Sequence, residues 1–348
     1  GVFNGKVGGT ISRPIFRGEL KADTITMNGV ELRGIHSFAH YENGIIELDD
    51  TGFRQGEDGS VRARLHYDTA TRALRGQLNI ERMDVQALLA LANQKEDRLT
   101  GQITSVVRLG GTLDNPAISL TGEIAEGTLA SYPISDVVLD VALAERVLTV
   151  RKLTGTQGDG SFSAAGTMDF DGTADVDVAA TDIALGIFTR FGGIEEAVTG
   201  TTSLTLHIGG HTQQPEADLK LTAKNGGARG ASFDELTAEA QLRHAVIHLN
   251  NLVVTKYIDG IAYTASAHGS IPLRALTAER SELVTAYDEI DLTVALDNAD
   301  LSLLPVFSEH VEWALGRTEG SLKLHGTLAA PRLNGTLRVT GGAVKIKW

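Results

Sequence analysis

Cysteine is absent from the 348-residue chain, which removes disulfide frameworks, thiolate metal sites and thiol catalysis together. Aromatic residues make up only 5% of it, too few large rings to fill a thick closed core. Basic residues are outnumbered, and the net charge of −13 argues against nucleic acid and against adsorption to anionic headgroups. No run of about 18 apolar residues occurs, so no membrane-spanning helix is expected. Residues 1–10 lack the basic-then-apolar layout of a signal peptide. No Gly-x-Ser-x-Gly, phosphate-loop or dinucleotide motif stands in a fitting context, so no enzymatic activity and no cofactor are expected.

Prolines are few as well, 7 in all, yet four of them share one motif. Gly9, Gly111, Gly210 and Gly326 each precede a proline by five positions: Pro14, Pro116, Pro215 and Pro331, spaced 102, 99 and 116 residues apart. Glycine accepts backbone angles that a side chain forbids, and proline lacks the N–H of a central ladder position. Their pairing marks a corner between strands, made once per repeat.

Two further markers keep the period. Asp58-Gly59, Asp159-Gly160 and Asp259-Gly260 lie 101 and 100 residues apart and suit tight turns that need positive φ. Asp84, Asp182 and Asp300 each precede an apolar run, predicting helices over 84–93, 182–191 and 300–307 with aspartate as N-cap. Their apolar stripes are Val85, Leu88, Leu89 and Ala92, then Ile183, Ile187, Phe188 and Phe191, then Leu301, Leu304, Val306 and Phe307, with Pro305 bending or ending the third. Such helices either cover the sheet between repeats or flank its opening. From Asp-Gly to the helix aspartate the distances are 26, 23 and 41, which places an insertion in residues 275–287. The chain therefore divides into repeats at 1–98, 99–197 and 198–316, with 317–348 beginning a fourth. It reads as a fragment of something longer.

Between the markers the period is two. Val61, Ala63, Leu65 and Tyr67 alternate with Arg62, Arg64, His66 and Asp68, and Val176 and Val178 alternate with Asp175 and Asp177. Such strands have one dry and one wet face. The dry positions include Val61, Leu65, Leu78, Val107, Leu120, Val137, Leu139, Val141, Val176, Val178, Leu204, Leu206, Ile290, Leu292, Val294, Leu324 and Leu337. A parallel β-helix would need coils of roughly 20 residues, and no such sub-period exists. The expected fold is mostly β: an elongated, curled antiparallel sheet forming an open groove, with short helices between repeats. With about nine short strands per repeat at about 4.8 Å spacing, it would extend on the order of 140 Å.

The motif Gly-Thr-Leu-x-x-Pro-x-x-x-Gly-x-Leu is matched by Gly326, Thr327, Leu328, Pro331, Gly335 and Leu337 and approximated at 111–120. The first copy keeps Gly9, Thr10, Pro14, Gly18 and Leu20; the third departs, with His211 in the threonine position. This pattern resembles the AsmA-like proteins of Gram-negative envelopes, and within them the TamB family (translocation and assembly module inner-membrane subunit). The resemblance implies a periplasmic taco-shaped β-groove that passes phospholipid between inner and outer membrane. It also implies an inner-membrane anchor and a C-terminal domain elsewhere, and an outer-membrane assembly barrel (TamA-like) as partner.

Elementary energetics suit that implication. Burying a CH₂ is worth about 0.8 kcal/mol, so a 16-carbon tail gains roughly 10 kcal/mol in an apolar gutter. Two other readings stay open: a rigid spacer or stalk with a sealed interior, and an assembly factor that offers its sheet edge to outer-membrane barrel strands. The histidine pairs His36/His40, His207/His211 and His244/His248 lie about 13 Å apart along a strand, so no metal is expected. Asp49-Asp50, Glu96-Asp97 and Glu195-Glu196 read as solvated charge.

Overall fold

The computed structural model describes residues 1–94, 98–191, 198–228, 231–277, 288–300 and 311–346. Most of them lie in strands: β1 (Val2–Thr10), β2 (Arg13–Met27), β3 (Val30–Glu42), β4 (Ile45–Gln55), β5 (Gly59–Asp68) and β6 (Leu74–Asp84) are followed by α1 (Val85–Leu91). Next come β7 (Leu99–Gly111), β8 (Pro116–Leu129), β9 (Tyr132–Ala144), β10 (Val147–Gln157), β11 (Gly160–Asp169), β12 (Ala174–Ala184) and α2 (Leu185–Phe191). The remainder comprises β13 (Thr199–His211), β14 (Gln214–Ala228), β15 (Ala231–Arg243), β16 (Val246–Ile258), β17 (Ile261–Pro272), α3 (Arg274–Thr277), β18 (Glu289–Asp300), β19 (Val311–Thr327) and β20 (Ala330–Ile346).

Two compact units are present, Gly1–Asp159 with Ser163–Asp171 and Gly160–Phe162 with Gly172–Trp348. In the first, β1 to β10 form an antiparallel meander in which each strand pairs with the next. In the second, β12 to β20 do the same.

Six strands precede each of α1 and α2, not the nine short ones expected from the alternation. Bulges explain the difference. Each inserts one residue and shifts the inside–outside phase, so one long strand reads as two. In β16, Ile247 and Leu249 are followed by a register shift and then by Leu252 and Val254 on the same face.

One bulge recurs in all three periods. It carries Arg82, Asp182 and Asn298 at φ 46°, 51° and 51°, between Ile80 and Met83, Ala180 and Ile183, and Leu296 and Ala299. The residue after the bulge turns back inward and is packed: Met83 is 0% exposed, Ile183 2% and Ala299 3%.

Asp84 caps α1 as expected, its Oδ1 accepting the Ala87 N–H at 2.8 Å. Asp182 does not cap α2, because it is the bulge residue inside β12 and the helix begins at Leu185. The third expected helix, 300–307, lies outside the described residues except Asp300, and so do residues 278–287 of the insertion. In α1 the buried side chains are Val85 and Ala87, while Leu88 and Leu89 are only half-buried.

The first unit curls. Helix α1 packs on β6 and β7 and also reaches β3, and Asn28 in the β2–β3 turn donates to the Ala90 carbonyl at 3.0 Å. A seven-residue helix is about 10 Å long, whereas β3 and β7 in a flat sheet stand about 19 Å apart. Crowding on the concave side appears at Gly122, where a Cβ would fall 2.6 Å from the Ser105 Cβ.

Each Gly–Pro motif is a hairpin in which the two residues pair directly: Gly9 with Pro14, Gly111 with Pro116, Gly210 with Pro215, Gly326 with Pro331. All four glycines have positive φ, and a Cβ on Gly111 would meet the Asn115 carbonyl at 2.4 Å. The threonine after the glycine closes the turn. Thr10, Thr112 and Thr327 each accept the N–H three residues on, at 3.2, 3.1 and 3.2 Å. In the divergent copy His211 Nδ1 accepts the Gln213 N–H at 3.3 Å, so an imidazole does the work of a hydroxyl.

Only Asp259-Gly260 has positive φ at both residues. In the other two Asp-Gly copies the left-handed residue is the upstream Gly56 or Gly158. Gly160 is needed for space instead, since a Cβ there would lie 2.3 Å from the Asp182 carbonyl of the bulge.

Candidate functional site

Directly paired residues share a face, so the registers turn the expected dry positions into rows. In the first unit one row runs Ala63, Leu78, Val107, Leu120, Val141, Val150. A second runs Leu48, Leu65, Gly76, Leu109, Ile118, Leu143, Leu148. Val61, Val137 and Leu139 fall on the same face, through the pairs Val61–Ile80, Ile124–Val137 and Gly122–Leu139.

In the second unit two rows each cross nine strands. One is Val178, Leu206, Leu219, Ala240, Leu249, Gly269, Leu292, Leu324, Leu333; the other is Ala180, Leu204, Leu221, Ala238, Leu252, Ala267, Val294, Leu322, Gly335. Val176, Ile290 and Leu337 join this face through Ile208, Gly326 and Gly320. All seventeen positions read from the alternation thus lie on one face of their unit, and no charged residue stands in any of these rows.

The face is not evenly buried. Met83, Thr202 and Thr318 are the largest fully buried side chains, and all three flank the recurring bulge. Away from it Leu65, Leu78, Val107, Leu120, Leu206, Leu219, Leu292 and Val294 are only half-buried. The rows therefore have a packed end beside the bulges and an aliphatic surface that is only partly covered. At the opposite strand ends, neighbouring hairpins are laced together: Thr69 N–H to Gly44 O at 2.8 Å, Leu113 to Arg72 at 3.1 Å, Thr212 to Gly172 at 3.0 Å, Leu273 to Ala245 at 2.8 Å.

The opposite face is charged. His207 Nδ1 donates to Asp177 at 2.9 Å and also neighbours Asp175 at 3.9 Å. The hydrogen bond to Asp177 raises the His207 pKa, against a desolvation effect and with help from the charges of Asp177, Asp175 and Asp218. Arg243 holds Asp218 at 2.7 Å and lowers its carboxyl pKa. Arg151 does the same to Asp140. Alternation alone does not reveal these links, because each joins residues on neighbouring strands.

Asp175, Asp177 and His207 are the one group of three ligand-type side chains within 4.8 Å among the described residues, and all are exposed. The geometry is that of a hydrogen-bonded ion pair on a solvated strand face. His36 and His40 lie along β3, His207 and His211 along β13, while His244 sits in the β15–β16 turn and His248 in β16. Glu96-Asp97 and Glu195-Glu196 fall outside the described residues.

Antiparallel meanders with one charged face and one partly covered aliphatic face, repeated about every 100 residues, define a class of repetitive groove-forming β-proteins. Comparison with known families gives the particular one. The TamB C-terminal domain matches residues 151–347, more than half of the chain, and the chain belongs to the TamB family. That family is a transport and assembly module of the cell envelope rather than an enzyme family, and it works with outer-membrane partners. No curated protein and no solved structure matched the chain. Among the described residues no helix is long and apolar enough to cross a membrane.

Proposed function

We propose that this chain is a periplasmic segment of a bridge-like phospholipid carrier, in which acyl chains slide along the aliphatic rows while headgroups stay in water. The observation that carries this reading is the pair of uncharged rows across nine strands of the second unit, in which Ala180, Leu204 and Ala267 are packed while most of the other side chains are only partly buried. A sealed stalk would bury such a face. A tail that gains about 0.8 kcal/mol per buried CH₂ finds nearly the same surface at each strand, so sliding is close to flat in energy and departure is costly.

The seventeen dry positions from Val61 to Leu337 are the proposed groove lining. The repeats at 1–98, 99–197, 198–316 and 317–348 are its proposed units; the first two hold six strands each, and the boundary at 316/317 falls within β19. The proposed partner is an outer-membrane assembly barrel (TamA-like). The direct test is native mass spectrometry after gentle purification. Phospholipid should co-purify and be displaced by added short-chain lipid; lipid-free protein under several gentle conditions would refute the reading.

A further inference from the structure

The outer face of β1–β3, opposite the aliphatic rows, carries an open cleft of about 800 Å³ lined among others by Lys6, Gly8, Ile15, Arg17, Gly18 and Phe38. Lys6 pairs directly with Arg17 across the strands. Like charges in direct register are destabilising, and a chain of net charge −13 has ample acid with which to avoid the arrangement. Of the nearby acids, Glu19 is paired with Lys21 at 2.7 Å, and Glu42 is shared between His40 at 3.3 Å and Arg17 at 3.9 Å. Lys6 has no anionic partner among the described residues. Beside the two cations, Phe38 is 45% exposed on what is otherwise the polar face, Ile15 is half-exposed, and glycine leaves the floor without side chains.

We propose that this cleft binds the phosphodiester head and first carbons of an anionic phospholipid. Lys6 and Arg17 bracket the phosphate, and Ile15 and Phe38 cover the glyceryl and proximal acyl carbons. A phosphate between the cations replaces their repulsion by charge-assisted hydrogen bonds, and the apolar wall gives a lipid an advantage over free phosphate. The site lies on the face that the transport reading does not use, so it stands apart from that reading.

The test is titration of the 348-residue chain with dihexanoyl phosphatidylglycerol below its micelle concentration, and separately with inorganic phosphate, following the amide resonances of Gly5, Gly8 and Gly18. The lipid should shift these amides saturably. Lys6→Gln, Arg17→Gln and Phe38→Ala, each checked for wild-type circular dichroism, should weaken binding about tenfold, and Lys220→Gln, which removes an exposed cation of β14, should leave it unchanged. Phosphate binding as strong as the lipid's would overturn the apolar half of the site. Unshifted amides, or lipid binding indifferent to both cation variants, would overturn the proposal.

Discussion

Val294→Asp places one carboxylate in the middle of a nine-residue apolar row. Its direct neighbours are Ala267 on β17 and Leu322 on β19, and Val294 itself is half-buried. In the lipid-free protein the new carboxylate keeps part of its hydration, so folding loses only a fraction of a valine's burial, about 1 kcal/mol. A passing tail changes that account, because hydrocarbon against the carboxylate removes its remaining water. The penalty for desolvating an unpaired charge is several kcal/mol. Taking about 4 kcal/mol, passage slows by roughly 10³-fold. Val294→Asn supplies a neutral polar group costing about 1–3 kcal/mol when its hydrogen bonds are lost, a slowing of about 5- to 150-fold. Val294→Ile should be neutral. The assay is transfer of fluorescent phospholipid between donor and acceptor vesicles, with far-ultraviolet circular dichroism and urea unfolding as fold controls. The graded order Ile, Asn, Asp is the signature. Transfer by a folded Val294→Asp chain at the wild-type rate would refute a path along this row.

Gly111→Ala should destabilise by about 2–4 kcal/mol in urea unfolding, since positive φ costs roughly 1–2 kcal/mol and the new Cβ also meets the Asn115 carbonyl; Gly29→Ala, at similar φ with nothing within 4 Å, should cost only about 1 kcal/mol. Asp84→Ala should lose about 1 kcal/mol with its cap. Asp182→Gly should instead be neutral or stabilising by up to about 1 kcal/mol, because glycine suits the left-handed bulge. The raised His207 pKa means that the folded state binds the proton more tightly, so the imidazolium's contribution is fully present below the ordinary histidine value and is lost as pH rises through the folded pKa. The thermal midpoint difference between wild type and His207→Gln should therefore shrink from pH 5.5 to pH 8.5 in a melting series; a constant difference would show that the ion pair is not its source.

The hundred-residue period was legible because its marks are backbone requirements. A glycine at positive φ facing a proline cannot drift in spacing without breaking its hairpin. The dry face was legible for a similar reason, since registers that pair Leu206 with Leu219 and Leu292 with Leu324 are those in which alternation keeps apolar atoms together. Strand count was not legible. Bulges at Arg82, Asp182 and Asn298 interrupt the alternation without ending the strand, and a left-handed aspartate looks in sequence like an N-cap. Asp84 stands two residues beyond its bulge, whereas Asp182 is the bulge residue itself. The Lys6–Arg17 pair was equally invisible, because ten residues and a hairpin separate two side chains that the register sets opposite each other.

Curvature and openness have one source. On the concave side of a bent sheet side chains converge, and small residues relieve the crowding. Across β15–β17 the rows interleave large with small: Ala240 and Gly269 adjoin Leu249, and Ala238 and Ala267 flank Leu252. Small residues let the sheet bend, and at Gly269 a Cβ would lie 2.0 Å from the Asp291 carbonyl. The same small residues leave no bulk to fill the hollow that bending creates. A core needing closure would use rings here, and a chain with 5% aromatics does not. Enlarging the row therefore probes both properties at once. Ala238→Phe, at a partly buried position, should fill the hollow and slow lipid transfer while raising or preserving thermal stability, because new apolar contact replaces water rather than displacing a packed neighbour. If this ring instead unfolds the sheet, the face is already packed, and no open row exists to conduct a tail.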